Sequence, residues 1–306
     1  MNVGSGSVEE TAKWVEYMTA KDGPMAKLRK QNGREEPWKV KYIGVGNESW
    51  GCGGNMRPEY YGDLYRRFNT YCRNYGKNRL YRIACGPSEA DLNWTENLMK
   101  IAGNHCDAIT MHYYTLPTGN WADKGSATEF DQESYYETLR RTWRMDKIIQ
   151  LNLDVMDKYD PKHRVGLIVD EWGTWYQVEP GTNPGFLYQQ NTMRDAIVAA
   201  MTLNIFNKHC DKIRMANVAQ LCNNLHCLFL AGGEHCITTP TYHVFDMYQE
   251  HQRGKKTRQK IRIRAYEHSG VSFLEVKKKN NKGRTSKKRV ECKPHEKDAH
   301  TDFIAS

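Results

Sequence analysis

Short apolar runs alternate with longer amphipathic stretches from the N-terminus to about residue 250. The short runs read as strands: Lys41–Gly46, Tyr81–Cys85, Ala108–His112, Val165–Asp170 and Ile213–Ala219, with Asn2–Gly4 as a stub. Between them lie helix signals. Ser7-x-x-Glu10 is a capping box. Pro58 stands where a first helical turn accepts proline, and Tyr61, Leu64, Tyr65, Phe68, Tyr71 and Cys72 recur behind it at helical spacing. A further stripe through Tyr136, Leu139, Trp143, Ile149, Leu153 and Met156 predicts core packing. Strict alternation of β and α segments implies a parallel sheet with helical crossovers, either doubly wound or a TIM (β/α)8 barrel. No G-x-G-x-x-G follows a strand, so the barrel is preferred, although only six strand segments can be counted.

The texture changes after Gln252. Lys260–Tyr266 and Val271–Val276 read as two strands joined by a turn at His268-Ser269-Gly270, and the rest of the tail is expected to be disordered. The net charge of +9 is a property of this tail. Residues 253–306 hold 17 Lys/Arg against 6 Asp/Glu, whereas the first 252 residues hold 28 against 30. A nucleic-acid partner is therefore not expected, since the body lacks a basic stripe interleaved with aromatics. No apolar run reaches the roughly 20 residues of a membrane helix, and the first residues do not read as a signal peptide, so no membrane partner is expected. Nine cysteines without a C-x-x-C pair point to buried or free thiols in a reducing compartment, and a cytoplasmic location is expected. His226-Cys227 and His235-Cys236 fit no zinc spacing and are expected to be core residues.

Two acidic residues stand out by position. Glu48 follows the strand Lys41–Gly46, and Glu171 ends the strand that runs through Val169-Asp170. In a barrel the carboxyl ends of all strands share one face, so acids 123 positions apart can meet there. A pair of carboxyls at that face is what glycosidic cleavage requires, one protonated to release the leaving oxygen and one ionised to attack. Trp50, Trp172, Trp175 and Tyr176 lie close by in sequence, and flat rings suit the apolar faces of sugars.

Asn47-Glu48, and Asp170-Glu171-Trp172-Gly173-Thr174-Trp175-Tyr176 on a later strand, resemble glycoside hydrolase family 51, the α-L-arabinofuranosidases. Gly51–Tyr61, Met111–Pro117, Gly181–Asp195 and Met215–Gln220 extend the likeness across residues 1–252. The resemblance implies a retaining hydrolase that removes terminal α-L-arabinofuranosyl groups from arabinose-containing glycans. Glu48 would be its acid/base and Glu171 its nucleophile. It also implies that Asn47 bonds the sugar 2-hydroxyl, that His112 and Tyr114 orient the nucleophile and line the subsite, and that Gln220 bonds the ring. Trp172 is a further expected substrate contact. No metal or organic cofactor is implied, and relatives are commonly homo-oligomers.

The chain also departs from the family. A segment supplying the first two barrel strands is not seen, and Asn2–Gly6 resembles the end of the third. The expected domains are a partial barrel over 1–252 and, over 253–306, a remnant or replacement of the family's β-sandwich. The alternatives are an endo-glucanase or xylanase of the same clan, or a catalytically impaired fragment.

Overall fold

A computed structural model describes residues 1–252, 257–266, 271–280 and 285–292. Its centre is a five-stranded parallel sheet in sequence order: β1 (Tyr42–Val45), β2 (Tyr81–Ala84), β3 (Ala108–Thr115), β4 (Gly166–Thr174) and β5 (Ile213–Val218). Each of the five strands read from the sequence is present. The stub is not a strand of its own, but Met1 lies along the edge of β1. Its ammonium donates to Gly44 O at 2.7 Å and its carbonyl accepts from Gly46 N at 2.8 Å.

Two helices, α1 (Val8–Thr19) and α2 (Pro24–Gln31), precede β1, and the crossovers between the strands are helical: α3 (Pro58–Tyr71), α4 (Leu92–Ala102), α5 (Gln132–Thr142) with α6 (Arg144–Tyr159), and α7 (Met193–Lys208). The Ser7–Glu10 capping box opens α1 as expected, satisfying two amides that the first turn leaves without partners. Pro58 opens α3, whose Tyr61, Tyr65 and Phe68 are buried. Tyr61 ties two strands together at their carboxyl ends: its hydroxyl donates to Val45 O and accepts from Cys85 N, both at 2.5 Å.

The long stripe is only partly core. The helix breaks at Trp143, so α5 and α6 differ in phase; Ile149, Leu153 and Met156 are buried, while Tyr136 (49%) and Trp143 (58%) face solvent. Beyond β5 a hairpin of β6 (Phe229–Gly232) and β7 (His235–Thr238) precedes α8 (Pro240–Gln252). His226 and Cys227 are buried as expected, but His235 and Cys236 lie on a fully exposed strand and are not core. Eight cysteines of the described residues are unpaired.

The chain divides into two compact units, Met1–Tyr242 and His243–Ser306. In the second, β8 (Thr257–Tyr266), β9 (Val271–Asn280) and β10 (Thr285–Cys292) form an antiparallel sheet in the order β10-β9-β8. Both tail strands read from the sequence are there. The third corrects the expectation of disorder: Thr285–Cys292 pairs with β9 along its whole length. The turn at 268–270 and residues 293–306 lie outside the described residues.

Candidate active site

Glu48 sits just beyond β1 with φ 43°, the left-handed region that side chains other than glycine rarely adopt. The loop behind it folds back tightly. A Cβ on Gly53 would stand 1.8 Å from Asn47 O, so this close return admits only glycine. Cys52, on the same loop, donates its thiol to Glu48 Oε2 at 3.1 Å. Trp50 is anchored by Nε1 to Gly86 O at 3.2 Å, and its ring lies edge-on to His112 with centroids 6.4 Å apart.

Asp170 and Glu171 owe their shared placement to a bulge. Thr110 and His112 of β3 pair with Ile168 and Glu171 of β4, two steps against three. On the other side Val169 and Trp172 pair with Ala216 and Val218, again three against two. An extra residue in β4 breaks the alternation that sends successive side chains to opposite faces. Asp170 and Glu171 are both part-exposed, between Val169 and Trp172, which are wholly buried.

His112 joins the acids from three strand ends. Its Nδ1 is 3.0 Å from Glu48 Oε1 and 3.5 Å from Glu171 Oε2, and its Nε2 is 3.1 Å from Asp170 Oδ1. One oxygen each of Glu48 and Glu171, with one ring nitrogen of His112, lie within 4.8 Å of one another. This spacing would also admit a cation, but Nδ1 is already taken up by the two carboxylates, and the group reads as a hydrogen-bonded acid pair. Tyr114 donates to Glu171 Oε1 at 2.5 Å.

The electrostatics follow from this arrangement. Burial pulls the His112 imidazole down, but its bonds to Asp170 and Glu48 and the charge of Glu171 outweigh that and raise it to about 10. The His112 bond, helped by the Cys52 thiol, holds Glu48 below the ordinary carboxylate value against the effect of burial. Burial and then the Glu171 charge push the Tyr114 hydroxyl far up, so it stays a donor.

The other expected contacts divide. Asn47 and Gln220 are exposed past the ends of β1 and β5, and neither side-chain amide has a hydrogen-bond partner among the described residues. Trp172 is misplaced by the sequence reading. It is fully buried and packs against Phe206 of α7 with centroids 5.3 Å apart, because as the next residue along β4 it points to the face opposite Glu171. The ring beside Tyr114 is Trp175, with centroids 4.7 Å apart. Trp121, which the sequence reading missed, stands 5.2 Å from Trp175 and 51% exposed. It lies on a loop with no periodicity to mark it. Tyr176 is also buried, with Arg194 4.3 Å over its ring.

The carboxyl end of β4 is held from behind. Thr174 Oγ1 donates to the buried Asp195 at 2.5 Å, and the same carboxylate caps α7 through Thr192 N at 2.7 Å. Thr174 N donates to His226 Nδ1 at 3.0 Å, and His226 Nε2 meets Thr241 Oγ1 at 2.8 Å. Burial lowers the His226 pKa, so it serves as a neutral pin.

Two carboxyls this close at the carboxyl edge of a parallel α/β sheet are the arrangement of glycoside hydrolases. Residues 5–140 match the model of the α-L-arabinofuranosidase 1 domain, and residues 170–302 that of the α-L-arabinofuranosidase C-terminal domain. The chain is 54% identical over 252 residues to an intracellular exo-α-L-arabinofuranosidase of Bacteroides ovatus, covering 82% of this chain and 49% of that one. The crystal structure of a family 51 arabinofuranosidase from Xanthomonas axonopodis pv. citri superposes with a TM-score of 0.82 at 44% identity, over 93% of this chain and 58% of that one. An α-L-arabinofuranosidase from Thermotoga maritima in complex with arabinose shares the fold at 20% identity and a TM-score of 0.68, over 96% and 71% of the two chains. The chain belongs to glycoside hydrolase family 51, the α-L-arabinofuranosidases. It spans about half the length of the curated relatives it matches.

Proposed function

We propose that this chain carries the catalytic centre of an exo-acting, retaining α-L-arabinofuranosidase, with Glu171 as nucleophile and Glu48 as acid/base. The observation that carries the reading is the pair itself: carboxylate oxygens of Glu48 and Glu171 within 4.8 Å, with His112 against both. Double displacement needs carboxyls about 5–5.5 Å apart, whereas inversion needs roughly 6.5–9.5 Å to admit a water. Glu171 attacks the anomeric carbon while Glu48 protonates the departing oxygen. Glu48, now ionised, takes a proton from the water that releases the sugar from Glu171. Tyr114 holds one oxygen of Glu171 and leaves the other for attack. Asn47 and Gln220, with free amides at the same face, are suited to the sugar hydroxyls, and Trp175 and Trp121 to its apolar side. The substrate is an arabinose-containing glycan.

The sheet β1–β5 is read as five consecutive strands of a (β/α)8 barrel, with Met1 along the edge of β1 standing for a preceding strand. The strands β8, β9 and β10, within the reach of the C-terminal domain model, are read as a remnant or replacement of the family's β-sandwich. The word "intracellular" in the name of the Bacteroides relative favours a cytoplasmic location. Among the described residues no helix is long and apolar enough to cross a membrane.

The test is hydrolysis of an aryl α-L-arabinofuranoside by the purified chain and by its Glu171→Ala variant. Wild-type turnover is expected, with loss in the variant and rescue by azide to the glycosyl azide of inverted configuration. Absence of turnover in the folded wild type, or undiminished turnover in the variant, would sink the proposal.

A further inference from the structure

Asp170 has no part in the double displacement, yet the bulge in β4 brings it to the same rim as Glu171. Its Oδ1 is buried and has no well-aligned hydrogen bond. What faces that oxygen is His112 Nε2, at 3.1 Å. The imidazole is therefore held between three carboxylates, Asp170 on one nitrogen and Glu48 and Glu171 on the other. The remaining groups around them carry no positive charge: the Cys52 thiol bonds Glu48, the Tyr114 hydroxyl bonds Glu171, and Trp50 faces the ring edge-on. Among the described residues, no lysine or arginine is within ion-pair distance of any of the three acids; their cationic partner is His112.

We propose that Asp170 is a positioning residue that keeps His112 doubly protonated, so that the proton needed by Glu48 rests on His112 Nδ1 while the site is empty. The inference rests on the reading of Glu48 as the acid. Three negative groups around one half-buried point repel one another, and each burial cost falls when a cation stands between them. A neutral imidazole would leave Oδ1 of Asp170 without charge compensation. Asp170 fixes the Nε2 proton and so directs Nδ1–H at the acid pair, as a carboxylate orients a histidine in other hydrolytic sites. The depressed Glu48 and raised His112 agree with this placement.

The proton balance is simple. On entry of substrate the Nδ1–H bond breaks and an O–H bond forms on Glu48, across the 3.0 Å contact. The ring keeps its Nε2 proton against Asp170 and becomes neutral. Glu48 then gives the proton to the leaving oxygen as Glu171 attacks. In the second step Glu48 takes a proton from water, and this proton returns to Nδ1 when the product leaves.

The experiment is a 15N NMR titration of the histidine rings in the full chain, with the His112 signals assigned by their loss in His112→Gln. Both ring nitrogens of wild-type His112 should be protonated at pH 7. In Asp170→Asn the midpoint should fall by at least one pH unit. A neutral wild-type ring at pH 7, or an unchanged midpoint in a folded Asp170→Asn, would overturn the inference. If that variant does not fold, the wild-type titration decides alone. In kinetics, Asp170→Asn should lower kcat roughly 10- to 100-fold with little change in KM and move the basic limb of kcat/KM to lower pH; a purely structural role would leave the limb in place. Because the titration needs no turnover, an imidazolium in a chain that does not hydrolyse arabinofuranosides would refute the enzyme reading and leave the Asp170–His112 pairing standing.

Discussion

Tyr114 donates its hydroxyl to Glu171 Oε1 across 2.5 Å, and the two residues lie on neighbouring parallel strands, β3 and β4. The bond fixes one oxygen of the proposed nucleophile and partly offsets its charge. Hydrogen bonds to charged groups contribute about 1.5–3 kcal/mol. Tyr114→Phe should therefore lower kcat/KM by roughly 10- to 100-fold. The melting temperature should change little, because the ring keeps its packing on Trp175. Kinetics on an aryl arabinofuranoside, paired with a thermal melt, check both halves.

The roles of the two acids separate by leaving group. Glu48→Ala should spare aryl substrates whose leaving groups need little protonation and should be severe on alkyl or sugar leaving groups. Glu171→Ala should be severe on all of them. Equal losses on every leaving group in both variants would contradict the assignment. The measurement is a plot of rate against leaving-group pKa for each variant.

Trp172 and Trp175 should respond in opposite ways. Trp172 is buried against Phe206, so Trp172→Ala should cost about 3–5 kcal/mol of stability. Trp175 flanks Tyr114 at the open face, so Trp175→Ala should raise KM with a smaller loss of stability. Chemical denaturation and steady-state kinetics on the two variants distinguish wall from core.

These tryptophans show where the sequence could be read and where it could not. Strand positions were legible because apolar runs bounded by helix signals recur along the chain, and Glu48 and Glu171 were legible because each ends such a run. The bulge was not. An extra residue in β4 leaves no mark in composition, yet it turns Asp170 to the side of Glu171 and towards His112. The Cys52–Glu48 bond was equally hidden, since it depends on a loop returning over Gly53. The break at Trp143 divided a stripe that periodicity alone presented as continuous. Thr285–Cys292 carries no apolar run to mark it as a strand, and only its pairing with β9 makes it one.

Stability should depend on pH through His112 in a definite direction. Its folded pKa, about 10, lies above the ordinary 6.5. Its contribution is therefore fully present below pH 6.5 and is lost as the pH rises towards 10. Glu48 acts oppositely: held below its ordinary 4.5, it contributes above that pH and loses its contribution as the pH falls through the depressed value. The stability difference between wild type and His112→Gln, from urea unfolding at several pH values, should shrink steadily between pH 6.5 and 10. A difference that grows over that range would contradict the charged His112.

The proposed retaining mechanism is tested most directly by the stereochemistry of the first product. Proton NMR of an aryl α-L-arabinofuranoside digest, recorded before mutarotation, should show the α-anomer of L-arabinose forming first. Carboxylate oxygens of Glu48 and Glu171 within 4.8 Å leave no room for a water on the far side of the sugar. First appearance of the β-anomer would show a single displacement by water and would contradict the roles given to both acids.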